Sequence, residues 1–217
     1  MLKNFRLNFM LVLLFVCLIL FTGFNYVQAG MINDLVTIPS ADLSVRQSVI
    51  SGEFYPDQYR TYDFEFVHRV NSELEVGGVL SLYENNNSLR EQIGLSLKYN
   101  IRPESSNQPA VSVGIKNRDL YLVMSKELVE GIRAHAGIGD GRYHNVFIDF
   151  NKIFNKNRVQ IGDPEKQPFS FPPVNVMVEY TGREINSGLR VNLEQNFYID
   201  LALMDFENFK AGVSFAF

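Results

Sequence analysis

Period-two alternation, a leader-like N-terminus and an apolar stripe reaching the last residue predict an all-β fold: an antiparallel up-and-down outer-membrane β-barrel of about 12 strands, within a range of about 10 to 14. Helical periodicity is scarce, so no competing helical core is in view.

The leader comes first. MLKNFRLNFMLVLLFVCLILFTGFNYVQA sets Lys3 and Arg6 before an apolar run from Phe9 to Phe21 and ends on a small-residue site. That order predicts a signal peptide, residues 1–29, cleaved after Ala29, and a single β-barrel domain over 30–217, or 217 − 29 = 188 residues. The rival is an uncleaved anchor, which the apolar length barely permits. The one cysteine, Cys17, lies inside the apolar run rather than after it, which argues against lipid attachment and leaves the mature chain without thiol or disulfide chemistry.

Strand signals then follow one another. TYDFEFVHRV puts Tyr62, Phe64 and Phe66 on one face, and LEVGGVLSLY alternates Leu74, Val76, Leu80 and Leu82 with Glu75 and Ser81. EQIGLSLKYN and NFYIDLALMD repeat the device. Further strands are predicted at 44–55, 110–115, 120–126, 133–138, 146–150, 174–180 and 187–193, with turn-rich stretches such as YENNNS, KNRD and IGDGRYHN between them. GDPEKQPFSFPP holds four of the eight prolines and reads as a loop, since proline is excluded from a central strand.

A soluble secreted or periplasmic β-sandwich that binds carbohydrate or a partner protein is the alternative. It would hide its stripes between two sheets, whereas a barrel turns them to lipid. The 18 Phe and 10 Tyr against no Trp, with aromatics at strand ends, favour the barrel, and mean hydropathy stays at -0.05 because the other face is polar. With 20 Lys+Arg against 24 Asp+Glu and a net charge of -4, no basic field exists to collect nucleic acid.

Chemistry-bearing patterns are weak. GIGDGRYHN offers Gly137, Gly139 and Gly141, but VFIDF follows where a phosphate loop needs a helix, so a glycine-rich turn is the better reading. His68, His135 and His144 lack metal-ligand spacing, although His135 and His144 flank one turn. Asp63 and Glu65, with Arg69 and Lys98, read as a charge-lined lumen rather than an acid/base pair. No Gly-x-Ser-x-Gly elbow supports nucleophilic catalysis. A barrel-embedded lipid-modifying enzyme is therefore the least favoured alternative, and no catalytic, metal or cofactor site is assigned. Tyr143, His144 and Phe171 are candidate loop contacts for a sugar.

The segment NVMVEYTGREINSGLRVNL is the most informative: Glu179, Arg183 and Arg190 need partners or water, so they are expected to face the lumen, with Glu179 paired to Arg183 or Arg190. Within it, VEYTGREINSGL resembles the E-Y-D-G-x-x-x-N-x-G hallmark of the YjbH-like family of outer-membrane barrels. GMINDLVTIPSADLSVRQSV, just after the leader, resembles that family's opening. The resemblance carries a structural, lumen-facing hairpin pattern onto Glu179, Tyr180, Gly182, Arg183, Asn186 and Gly188, with a departure at Thr181 where the family has aspartate. It implies a non-enzymatic accessory role in exopolysaccharide production or secretion, with exopolysaccharide and export components as partners.

The closing strand KAGVSFAF likewise resembles the terminal strand of bacterial outer-membrane proteins, which the barrel-insertion machinery reads. Phe209, Ala211, Val213, Phe215 and Phe217 are expected to face outer-membrane lipid as the barrel-closing strand, and Lys210 and Ser214 the lumen.

Overall fold

The computed structural model describes residues 36–44, 46–56, 60–85, 88–155, 160–161, 169–193 and 196–217. The leader and its cleavage site lie outside the described residues, as do residues 162–168 of the proline-rich stretch.

Alternation becomes strand after strand: β1 (Ser48–Tyr55), β2 (Thr61–Arg69), β3 (Leu74–Asn85), β4 (Ser88–Arg102), β5 (Ala110–Lys116), β6 (Asp119–Val129), β7 (Ile132–Gly139), β8 (Asn145–Phe154), β9 (Gln160–Ile161), β10 (Phe169–Ser170), β11 (Val174–Tyr180), β12 (Ile185–Asn192), β13 (Phe197–Met204) and β14 (Asn208–Ala216). Twelve of these close an antiparallel barrel in the order β1-β14-β13-β12-β11-β8-β7-β6-β5-β4-β3-β2, and β9 pairs with β10 as a separate two-stranded sheet. β1 closes the barrel, pairing with β2 on one side and β14 on the other. Closure leaves these strands without an edge, which also secures the C-terminus: Ser48 and Phe217 exchange backbone hydrogen bonds at 2.8 Å in both directions.

The pleat sorts the side chains. On β4, Leu89, Ile93, Leu95, Leu97, Tyr99 and Ile101 all point outward, with Ile93 76% exposed. β2 does the same with Tyr62, Phe64 and Phe66. A core of this kind has no place in water, and an apolar outer belt around a closed single sheet is the arrangement lipid stabilises. The sandwich alternative is corrected here: one sheet closes on itself, and its apolar stripes face out.

The first strand is shorter than the predicted 44–55. Residues 36–44 leave the wall and run through the lumen, because wall side chains capture their backbone. Ser44 N–H donates to Glu75, Ala41 N–H to Ser125 Oγ (2.7 Å), and the amides of Val36, Thr37 and Ile38 to Glu179. Lys98, Asn100 and Ser112 donate to the carbonyls of Asp42 and Ala41, and Lys210 Nζ to that of Val36 (2.7 Å). Val36, Ile38 and Ala41 join wall residues Val123, Phe147, Met177 and Ala202 in one buried apolar cluster, so the core of this barrel is built on its own N-terminal segment.

The expected charge pairs also sort differently. Glu65 pairs with Lys116 (2.8 Å) and Lys98 with Glu75 (3.1 Å), because the register puts Glu75 directly opposite Lys98. Arg69 donates to the Ser44 carbonyl.

Candidate functional site

The lumen holds two features, a polar row beneath the internal segment and a charged vestibule beyond it. Pairing register builds the row: Ser125 opposite His135, His135 opposite Asp149, Asp149 opposite Glu179, and Glu179 opposite Asn186, across β6, β7, β8, β11 and β12. All five are buried. Three successive amides converge on Glu179, while Thr37 Oγ1 and Asn186 Nδ2 (2.8 Å) donate to its other oxygen. Such a nest of backbone N–H groups is a site for an anion, and here the anion is a wall side chain. A carboxylate is required, since an amide side chain brings only one acceptor oxygen.

Ser125, His135 and Asp149 come close to a hydrolase arrangement, with Ser125 Oγ 2.6 Å from His135 Nδ1. Asn151 Nδ2 lies 2.9 Å from His135 Nε2, and Asp149 Oδ1 lies 4.0 Å from it. Yet the three lie inside the lumen, and the Ala41 amide already occupies the serine oxygen. A lipid-modifying site would need to reach the rim, and this cluster instead seats the internal segment. His135 and His144 do not meet, because His135 faces Asp149 deep in the wall while His144 sits exposed in the turn above β7.

The expected hairpin divides into separate roles. Glu179 and Asn186 face the lumen, and Gly188 is buried under the internal segment: a Cβ on Gly188 would stand 2.5 Å from Val36 Cγ2. Tyr180 is corrected to the outer face, 44% exposed, its hydroxyl donating to the Gly182 carbonyl (2.7 Å). Arg183 is corrected to an exposed turn position. Gly182 itself has φ +88, and an added Cβ would meet the His144 carbonyl oxygen at 2.6 Å. Thr181, the departure from the family pattern, accepts from the Glu184 amide (3.2 Å) and closes the turn. The pairing of Glu179 with an arginine is also corrected. Arg190 sits opposite Asn175, four residues along from Asn186, and binds Asp200.

On β14, Phe209, Val213, Phe215 and Phe217 are exposed and Ala211 is half-buried on the same side, while Lys210 and Ser214 are buried in the lumen. The sugar-contact residues do not form one surface. Tyr143 is buried in the short 3-10 turn Gly141–Tyr143, its ring centroid 5.5 Å from that of Tyr121 and 5.4 Å from that of Phe147. His144 lies beside it in the same turn, whereas Phe171 is at the other end of the barrel, after β10. Tyr143 serves packing because the inward glycines leave room for a large ring: a Cβ on Gly139 would stand 2.8 Å from it.

The vestibule opens at the end opposite the C-terminus, about 610 Å³ of atom-free space continuous with solvent. Glu53, Asp63, Glu65, Lys116, Arg142, Arg190 and Lys210 line it, with Tyr55, Asn117 and the tip of the internal segment at Val36 and Thr37. Lys210 pairs with Glu53 (2.8 Å) and Arg142 with Asp119 (2.9 Å). Among the described residues no group of three or more His, Cys, Asp or Glu is arranged to hold a metal ion.

Sequence reasoning missed Ser125, Asp149, Asn151 and Glu75. Their signal was present as polar residues at inward positions of apolar strands, but only pairing register sets Ser125 and Asp149 in one row with His135 and puts Glu75 opposite Lys98.

No family model and no curated protein matches the chain. Among solved structures it is similar to a KdgM porin, with a TM-score of 0.54 and 12% identity over 78% of this chain and 99% of that one. It is similar too to a KdgM porin in complex with disordered oligogalacturonate, with a TM-score of 0.51 and 12% identity over the same shares. At this identity the likeness is one of fold: a closed twelve-stranded barrel of the outer-membrane type.

Proposed function

We propose that this chain is a non-enzymatic outer-membrane barrel, closed by its own N-terminal segment, that acts as an accessory in the production or secretion of an extracellular polysaccharide. One observation carries the accessory reading over an open pore: residues 36–44 occupy the lumen and are held there by Glu179, Ser125 and Glu75. A polymer cannot thread a lumen already filled by a chain. The outer apolar belt supports the membrane setting. The YjbH-like resemblance of 178–189 supports the polysaccharide connection, and the solved barrel bound to oligogalacturonate is a case of this fold meeting a sugar acid.

A solute channel is the second reading, favoured by the likeness to porins. Planar-bilayer recording of the purified full chain separates the two. The accessory reading expects no steady conductance from the wild-type barrel and frequent openings from Glu179→Ala; a steadily open wild-type channel overturns it. Deleting the gene in its host is expected to lower secreted polysaccharide while growth is unchanged, and unaltered polysaccharide sinks the export role. Fractionation tests the setting: the folded chain should resist carbonate extraction and shift on a heat-modifiability gel.

A further inference from the structure

We infer that the vestibule is a binding site for a protonated amine carried on a small hydroxyl-rich solute, an amino sugar being the simplest of this class. Pairing register places Glu53 directly opposite Asp63 on neighbouring strands, both lining the cavity. Like charges in that position repel, so they call for cations. Lys210 supplies one, and Glu53 takes it at 2.8 Å while also accepting from the Tyr55 hydroxyl (2.8 Å). The Asp63 carboxyl accepts from the Ser81 hydroxyl, and its Oδ1 is left buried without a hydrogen-bond partner.

The remaining cations have carboxylates of their own. Lys116 holds Glu65, Arg142 holds Asp119 and Arg190 holds Asp200. Among the described residues, the lining with these two outer partners sets five carboxylates against four cations, a surplus of one negative charge. Asn117, also in the lining, has a second buried acceptor, Oδ1, without a hydrogen-bond partner, packed over Gly94. Both unused oxygens accept, and a ligand that satisfies them must donate. An ammonium brings three donors and the missing charge, and ring hydroxyls bring further donors for the Asn117 side. A sugar acid brings the wrong sign. The vestibule thus selects a charge opposite to that of the oligogalacturonate held by the barrel of similar fold.

The inference rests on the vestibule alone and not on the polysaccharide reading. Its test is equilibrium binding to the purified full chain in detergent, by calorimetry, using glucosamine, N-acetylglucosamine and galacturonate as probes. Glucosamine is expected to bind about ten-fold more tightly than its acetylated form, the scale of one charge-assisted hydrogen bond, and galacturonate more weakly still. Asp63→Asn should remove the preference for the amine while the melting temperature and heat-modifiability stay as in the wild type. No glucosamine binding, equal binding of the acetylated sugar, or tighter binding of galacturonate overturns the inference. So does an amine preference that survives in Asp63→Asn.

Discussion

The first and last described stretches of the chain meet opposite fates. β14 enters the wall, its backbone paired on both sides with β1 and β13, and its apolar residues outside. Residues 36–44 enter the lumen, their backbone met by side chains: Glu179, Ser125, Glu75, Lys98, Asn100, Ser112 and Lys210. A ladder is satisfied by any sequence of suitable alternation. A segment held by side chains depends on each particular residue. The difference teaches where this molecule is robust and where one substitution suffices to change it.

The largest effect is expected at Glu179. Glu179→Ala strips the acceptor from the buried amides of Val36 and Ile38, worth roughly 1 to 3 kcal/mol each, and from the half-buried amide of Thr37, so the internal segment should undock. Bilayer conductance and protease cleavage within 36–44 check it, and a barrel that stays silent and protected breaks the comparison. Second comes the lipid face of β14, where depth matters. Val213 lies beside the strand centre, and Val213→Arg should cost about 2 to 4 kcal/mol in folding titrations, whereas Phe215→Arg, near the strand end, should cost only about 0 to 1 kcal/mol. Equal costs would mean that the belt is not centred on Gly212.

Third, Gly188→Val drives a side chain into Val36 while leaving the wall pairing intact, so it should loosen the segment by less than Glu179→Ala does. Proteolysis of 36–44 with unchanged heat-modifiability is the expected result. The smallest effect is a pH dependence at the end bearing the C-terminus. Burial alone would raise the Glu104 carboxyl, but the Glu127 amide and the Arg133 and Lys126 cations outweigh it and hold it below its ordinary 4.5. A carboxylate lowered on folding stabilises the fold above its unfolded value, and that contribution is lost as pH falls through the folded value. Melting between pH 6 and pH 3 should therefore show a loss that is smaller in Glu104→Gln, the pH range being about that of carboxylate titration.

Strand identity was legible in the sequence wherever one face was apolar and the other polar. β2, β3, β4, β13 and β14 stand where alternation put them. β1 was overextended: the predicted 44–55 begins as a strand only at Ser48, because Glu75 draws the Ser44 amide inward. The lumen-facing hairpin was partly legible: Glu179 and Asn186 are cross-strand partners and both point in, but Tyr180, the next residue after Glu179, points out and Arg183 lies in the turn. Pattern resemblance carries no parity, so it grouped residues that the pleat separates.

What the sequence determined by itself is local: period two, turn positions, the polarity of each face and the stripe closing on Phe217. Those follow from the geometry of an extended chain, in which neighbouring side chains point opposite ways. Only the tertiary structure decided which residues meet across the lumen. Barrel closure and register bring Glu179 to within hydrogen-bond reach of residues 141 to 143 positions away, and set Glu53 against Asp63 beside Lys210. Such contacts depend on where a strand starts relative to its neighbour, and no single stretch of sequence contains that information.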